Sequence, residues 1–552
     1  MTDISALKNG VVETDVLVVG GAAAGLTAAI EATKYGLNVA LINKGRVGFS
    51  GSTPTSDGET AAIFEPEDTV EGFLRETIEG GEGLNDRRLV ETLIREGNRS
   101  VHLLDIFGVP YVRRPDGRLA IYKELGQKCA RTPPVHGGGP AFSLALRKEA
   151  LHRRVKFYEN MMACELFLHD GAVRGCLAVG QEDGRSVLFS AKSIVLACGS
   201  ATDLFPYATA SFKTTGDGYW LGWQAGLEFI NLEFIEFSVM PAPDGLPLSS
   251  GGIKPLTGRG ARFYNARGER FMEKYDPEKK ELVKRSALVL GLFLEIQEGR
   301  GPVYMDATAI PPEQYHDLEE VHHLGILRRL RDSGVKYKEE RFQWISPAVH
   351  TFLGGVRIDD QGRTAIKGLF AAGENAGGVY GADRVGTYLT ACAVFGFRAG
   401  GAAAREALAE ARRPLPWPAV EDKLADLDRL AAPKDGIEPE TLRRKVKETA
   451  AKHLACERDD DGLGRAIGEF ENILDKEVNE LEVKTPRDVI PALEIRNLAL
   501  TGRLVAEACR RRKETRGQHR RTDYPWSSDE WLKWIILKKS DRGIEVRLEE
   551  VV

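Results

Sequence analysis

Between residues 15 and 44 the chain reads DVLVVGGAAAGLTAAIEATKYGLNVALINK, and its apolar pattern changes period twice. Val16–Val19 is an unbroken apolar run of strand length, as expected of a strand buried on both faces. Gly20 and Gly21 interrupt it. From Ala22 to Tyr35 the apolar positions recur at helical spacing, and Gly36 suits the helix stop. Val39–Ile42 is a second apolar strand run. Strand, glycine turn, helix and strand in this order form a dinucleotide-binding unit, with helix N-terminal N–H groups facing a pyrophosphate. Gly20 and Gly25 keep the fingerprint spacing, while Ala22 replaces its middle glycine and Asn43 its ribose-binding acid. An amide bonds a ribose hydroxyl less strongly than a carboxylate does. The candidate contacts of this unit are Gly20, Gly21, Ala24, Gly25, Asn43 and Lys44.

A second helical pattern occupies residues 418–512, rich in Glu, Lys, Arg, Leu and Ala. Within it Thr485, Pro486 and Asp488 read as an N-cap, a first-turn proline and an acid favoured by the helix dipole.

Composition bounds what such a chain can be. At 552 residues it is too long for one core, so two or three domains are expected. A net charge of −5 argues against nucleic acid as the main partner. The start, MTDISALKNGVVETD, lacks a basic and apolar leader, and no apolar run reaches the roughly 18 residues of a membrane span. A cytoplasmic chain is expected, meeting a membrane only through a partner. Seven cysteines without a CxxC pair point to a reduced compartment and to no metal, cluster or haem ligation.

Eight further stretches occur in a telling order: FSGSTPTSDGE (49–59), IVLACGSATDLFPY (194–207), TTGDGYWLGWQAG (214–226), NARGERFMEKYDP (265–277), EIQEGRGPVYMD (295–306), AVHTFLGGVRID (348–359), GLFAAGENAGGVYGADRVG (368–386) and ETRGQHRRTDYP (514–525). Together they resemble the fumarate reductase/succinate dehydrogenase flavoprotein family, which includes L-aspartate oxidase. The resemblance implies an α/β fold: a Rossmann-like FAD-binding domain in two segments (1–235 and 350–410), an inserted α+β capping domain (236–349), a helical domain (411–512) and a C-terminal segment (513–552).

The resemblance also implies roles. Ser50, Gly51, Ser52 and Thr53 would lie along the pyrophosphate and isoalloxazine, and Asp217 and Glu374 on the ribityl and ribose side. Relatives that attach FAD covalently use a histidine in the first loop. Here the first histidine is His102, so the FAD is expected to be held non-covalently. Arg285 falls at the proton-shuttling arginine, and His350 and Arg384 fall at carboxylate-binding positions. Ser238 stands where a substrate histidine is expected, and Leu256–Ala261 lacks the acid that accompanies substrate binding.

The expected reaction is hydride transfer between flavin N5 and a C–C (or C–N) bond beside a carboxylate, on a small carboxylate other than plain fumarate or succinate. Two alternatives are a flavin subunit that only relays electrons within an iron–sulfur complex, and L-aspartate oxidase. With no cluster ligands of its own, the chain is expected to work with an iron–sulfur protein subunit. Two surfaces are candidates for docking it: the helical region, otherwise a solvated bundle, and the basic runs Arg510–Lys513 and Arg520–Arg521, otherwise a solvated helix end.

Overall fold

The apolar runs of the first 45 residues become neighbouring strands of one sheet. β1 (Val12–Val19) pairs in parallel with β2 (Val39–Asn43), and the helix Ala23–Thr33 joins them. The molecule is described here from a computed structural model covering residues 7–552 except 9, 124–126, 212, 243–252, 317, 320–324 and 387. β3 (Lys156–Glu159) pairs in parallel on the far side of β2. β4 (Met161–His169), β5 (Ala172–Gly180) and β6 (Ser186–Leu196) form an antiparallel meander, and β6 runs parallel to β1. The sheet order is β3-β2-β1-β6-β5-β4.

The chain then leaves this sheet. β7 (Phe229–Ile230) is followed by β8 (Ile235–Pro241), β9 (Arg262–Tyr264), β10 (Val303–Asp306) and β11 (Phe342–Phe352). The last four form a separate antiparallel sheet in the order β8-β11-β10-β9. After β12 (Gly355–Val356), β13 (Leu369–Ala371) returns to pair in parallel with β6. Two distant stretches of sequence therefore build one sheet, and the excursion between them carries β8–β11. The helix Tyr388–Ala409 packs against Ala23–Thr33.

The helical region is more than a solvated bundle. Helix Val489–Arg511 is buried at most of its positions and starts from a capping box in which Asp488 accepts from the Thr485 N–H at 2.7 Å. Finally β14 (Lys533–Ser540) and β15 (Gly543–Glu550) form a hairpin, and β14 also pairs with β7.

The two basic runs prove to be divided between core and surface. Arg512 and Arg521 are fully buried. Arg512 donates to Glu233 at 2.7 Å, to Glu514 at 3.0 Å and to the carbonyls of Trp531 and Lys533 at 2.8 Å each. Arg521 pairs with Asp523 and donates to the Cys509 carbonyl. Of the rest, Arg510 pairs with Asp460 and Arg520 with Glu457, while Arg511 and Lys513 are exposed. A steering role for the whole of both runs is thus corrected: burial requires the guanidiniums of Arg512 and Arg521 to be spent on internal partners. Replacing Arg512 with alanine strips buried Glu233 of its ion pair, while Glu514 keeps Arg516. Denaturant unfolding is expected to show a loss of about 3–5 kcal/mol, and a loss below about 1 kcal/mol would contradict this account.

Candidate functional site

A cavity of about 1000 Å³ is lined from the Gly20–Ala24 turn, from residues 50–53 and from residues of β8, β11 and the 383–392 stretch. Its first wall follows from the glycine turn. Gly20 has φ +113°, and a Cβ there would stand 2.1 Å from the Ala197 carbonyl oxygen. Gly25 is not on the wall. A Cβ on it would lie 1.8 Å from the Gly20 carbonyl oxygen, so its part is close helix–turn packing. Ala22 offers no side-chain cap to the helix it precedes, and Thr53 Oγ1 accepts from the Ala23 N–H at 3.1 Å. Ser52 Oγ is buried with no hydrogen-bond partner among the described residues. Ser50, Gly51, Ser52 and Thr53 all line the cavity.

Four polar residues expected at the nucleotide, Asn43, Lys44, Asp217 and Glu374, are on the wall but already engaged. Asn43 Oδ1 accepts from the Gly21 N–H at 2.9 Å, and its amide donates to Gly45 O at 2.9 Å and Ser50 Oγ at 2.8 Å. It braces the glycine turn against the Ser50 loop. Lys44 Nζ lies 2.9 Å from both Asp217 and Glu494. Burial opposes its charge, but the two carboxylates outweigh burial and hold its pKa above the ordinary lysine value. Glu494 also meets Arg443 at 2.6 Å, which ties the C-terminal helices to this wall. Glu374 accepts from Ser200 at 2.8 Å, Thr351 at 2.6 Å and the Phe352 N–H at 3.1 Å, all at Oε1. Burial raises its carboxyl above the usual range despite these donors.

The second wall gathers Arg285, His350 and Arg384. Arg285 opens the helix Arg285–Glu295. Arg384 lies ahead of the helix Tyr388–Ala409, its Nη1 on the Gly386 carbonyl at 2.5 Å. Between β8 and β11, Phe237 faces Val349 and Glu236 faces Thr351, so His350 is the extra residue of a β-bulge. Bulges re-aim side chains in this way. The His350 Nδ1 lies 2.7 Å from Thr209 Oγ1. Burial lowers its pKa, the charge of Glu236 opposes this, and with Arg285 and Arg384 beside it the net result is about 3, so the ring is neutral at pH 7.

The structure corrects two expectations on this wall. Ser238 is fully buried in β8 opposite Ala348, its Oγ has no partner among the described residues, and it does not line the cavity. The acid lacking at Leu256–Ala261 has a counterpart on another element: Glu236, two residues before Ser238. Glu236 is 3% exposed. Its Oε1 receives Arg285 Nη1, and its Oε2 receives Arg384 Nε at 2.6 Å. Burial opposes its ionisation, but the charges of Arg384 and Arg285 overcome this and hold its pKa at about 2. One signal marked it in sequence: a lone carboxylate in the apolar run Phe234–Met240 requires a partner.

Fold and cavity define a dinucleotide-binding α/β protein whose cavity continues into an arginine-bearing wall. A family model described as "FAD binding domain" matches residues 15–388, and one described as "Fumarate reductase flavoprotein C-term" matches residues 443–552. One component of the fumarate reductase (CoM/CoB) of Methanothermobacter marburgensis is 33% identical over 97% of this chain and 98% of its own. The L-aspartate oxidase of Streptomyces coelicolor is 31% identical over 97% and 93%. Among solved structures, Mycobacterium smegmatis Sdh1 in complex with UQ1 is 27% identical with a TM-score of 0.86, covering 98% of this chain and 94% of its own. The chain belongs to the fumarate reductase/succinate dehydrogenase flavoprotein family and is an FAD-dependent oxidoreductase. The unpartnered Ser52 hydroxyl, the glycine turn and the uncapped helix start fit FAD. Among the described residues no helix is long and apolar enough to cross a membrane.

Asp383 lines the same cavity, and burial, then the charge of Glu236, raises its pKa from 3.8 to about 6. A raised folded-state pKa contributes stability that is complete below 3.8 and is lost as pH rises through about 6. Asp383→Asn is therefore expected to raise the apparent Tm at pH 7.5 relative to the parent, with the gain vanishing below about pH 4. A Tm difference independent of pH would contradict the assignment.

Proposed function

We propose that the chain moves a hydride between bound FAD and a C–C (or C–N) bond beside a carboxylate, on a small carboxylate other than plain fumarate or succinate. The observation that carries this reading is the meeting of Arg285, His350 and Arg384 on the wall of the cavity that the glycine turn opens. FAD, when bound, supplies or accepts the hydride at its isoalloxazine ring. Gly20–Ala24 and Ser50–Thr53 would hold its pyrophosphate side, and Glu374 a ribityl or ribose hydroxyl. Arg384 and neutral His350 orient the substrate carboxylate by hydrogen bonds. Arg285 carries the proton exchanged with the neighbouring carbon. Ser238 lies off the wall, and that supports a substrate other than a C4-dicarboxylate.

The flavin is held non-covalently: the first loop, residues 49–59, contains no histidine to which it could be attached. A separate iron–sulfur protein subunit exchanges electrons with it. That reading draws on relatives named as subunits, among them the succinate dehydrogenase flavoprotein subunit of Rickettsia conorii, 30% identical over 96% of this chain. A relay-only flavin subunit is the second reading, favoured by the fact that Glu236 already pairs both arginines.

Two measurements bear on these proposals. Denaturing the purified protein is expected to release all flavin into the supernatant, and yellow colour retained on the washed precipitate would overturn non-covalent binding. Arg285→Lys is expected to keep its flavin and to lower turnover with an α,β-unsaturated acid by at least about 10²-fold. Full turnover in that variant would favour the relay reading.

A further inference from the structure

The two guanidiniums of the substrate wall already share a carboxylate. Arg285 reaches Glu236 from the inserted region, and Arg384 reaches it from the stretch after β13. Each takes a different oxygen, so the carboxylate is bracketed in the manner of a bound anion. Glu236 cannot easily withdraw. Its strand pairs with β11 through Thr351, and the Gln518 side chain bonds the neighbouring Phe237 at both its N–H (2.9 Å) and its carbonyl (3.2 Å). A substrate anion approaching either arginine therefore meets a fixed negative charge. One carboxylate still finds donors: Arg285 has five N–H groups and gives one of them to Glu236. His350 adds a hydrogen bond rather than a charge. A second carboxylate on the same small molecule brings another negative charge to a wall whose two cations are partly neutralised. Like charges brought together repel and weaken binding.

We propose that Glu236 is the specificity-determining residue of this cavity: its carboxylate occupies the paired guanidinium donors that a second substrate carboxylate would need, and so selects monocarboxylates over dicarboxylates. The proposal rests on the carboxylate-site reading above.

Crotonate and fumarate are suitable probes, since they share a four-carbon trans-enoate frame and differ by a methyl group against a carboxylate. Their binding to the oxidised, FAD-loaded full chain is followed through perturbation of the flavin spectrum, in the parent and in Glu236→Gln, which preserves shape and removes the charge. The parent is expected to bind crotonate more tightly than fumarate. Glu236→Gln is expected to raise fumarate affinity at least about ten-fold, while crotonate affinity changes less than about three-fold. Crotonate binding with an unchanged crotonate-to-fumarate ratio overturns the proposal alone. Failure of both acids to bind either protein overturns it together with the carboxylate-site reading. If Glu236→Gln loses its flavin, Glu236→Asp decides the matter, because the shorter side chain retreats from at least one arginine. Fumarate affinity must then rise at least about three-fold, and no rise overturns the proposal.

Discussion

A carboxylate that is 3% exposed cannot be left without cations, and Glu236 obtains two from separate parts of the chain. Arg285 lies 49 residues away and Arg384 lies 148 away. Neutralising this one buried charge requires the inserted sheet, the helix Arg285–Glu295 and the stretch before Tyr388 to close on a single point. That point is on the wall of the FAD cavity. The demand for neutralisation thus fixes where the second wall stands relative to the glycine turn.

Two further buried polar groupings hold the frame around it. Lys44, Asp217, Glu494 and Arg443 join the sheet to the C-terminal helices behind the nucleotide wall. Arg512, Glu233 and Glu514 join the last helix to the loop that enters β8, while Gln518 grips the β8 backbone beside Glu236. Breaking a buried ion pair on one side costs far more than an exposed pair is worth. The C-terminal segment is therefore part of the support of the arginine-bearing wall rather than an appendage.

The parts legible in the sequence were those governed by local rules. The run Val16–Val19, the turn at Gly20 and the helix that follows are each decided by neighbours within a few residues. The helix cap at Thr485 and Asp488 is equally local. Motif order supplied the family and with it the α/β class. Side-chain pairing was illegible, near or far. Asn43 reads as a ribose ligand, but its amide is spent on Gly21, Gly45 and Ser50. Arg512 and Arg521 read as surface charge, and only their partners, up to 279 residues distant, reveal that they are core. Ser238 and Glu236 differ by two positions on one strand, and the cavity reaches only the second. A register read from motif spacing locates such a strand but not which of its residues meets the open space.

The central claim is that one cavity unites flavin and substrate carboxylate, so that the chain performs chemistry rather than relaying electrons alone. Single-turnover reoxidation of the photoreduced FAD-loaded protein, under anaerobic conditions with crotonate as the only oxidant, tests this most directly. The account predicts recovery of the oxidised-flavin absorbance in a phase whose rate saturates with crotonate concentration. A flavin that stays reduced with crotonate, yet is promptly reoxidised by a one-electron acceptor, would contradict it.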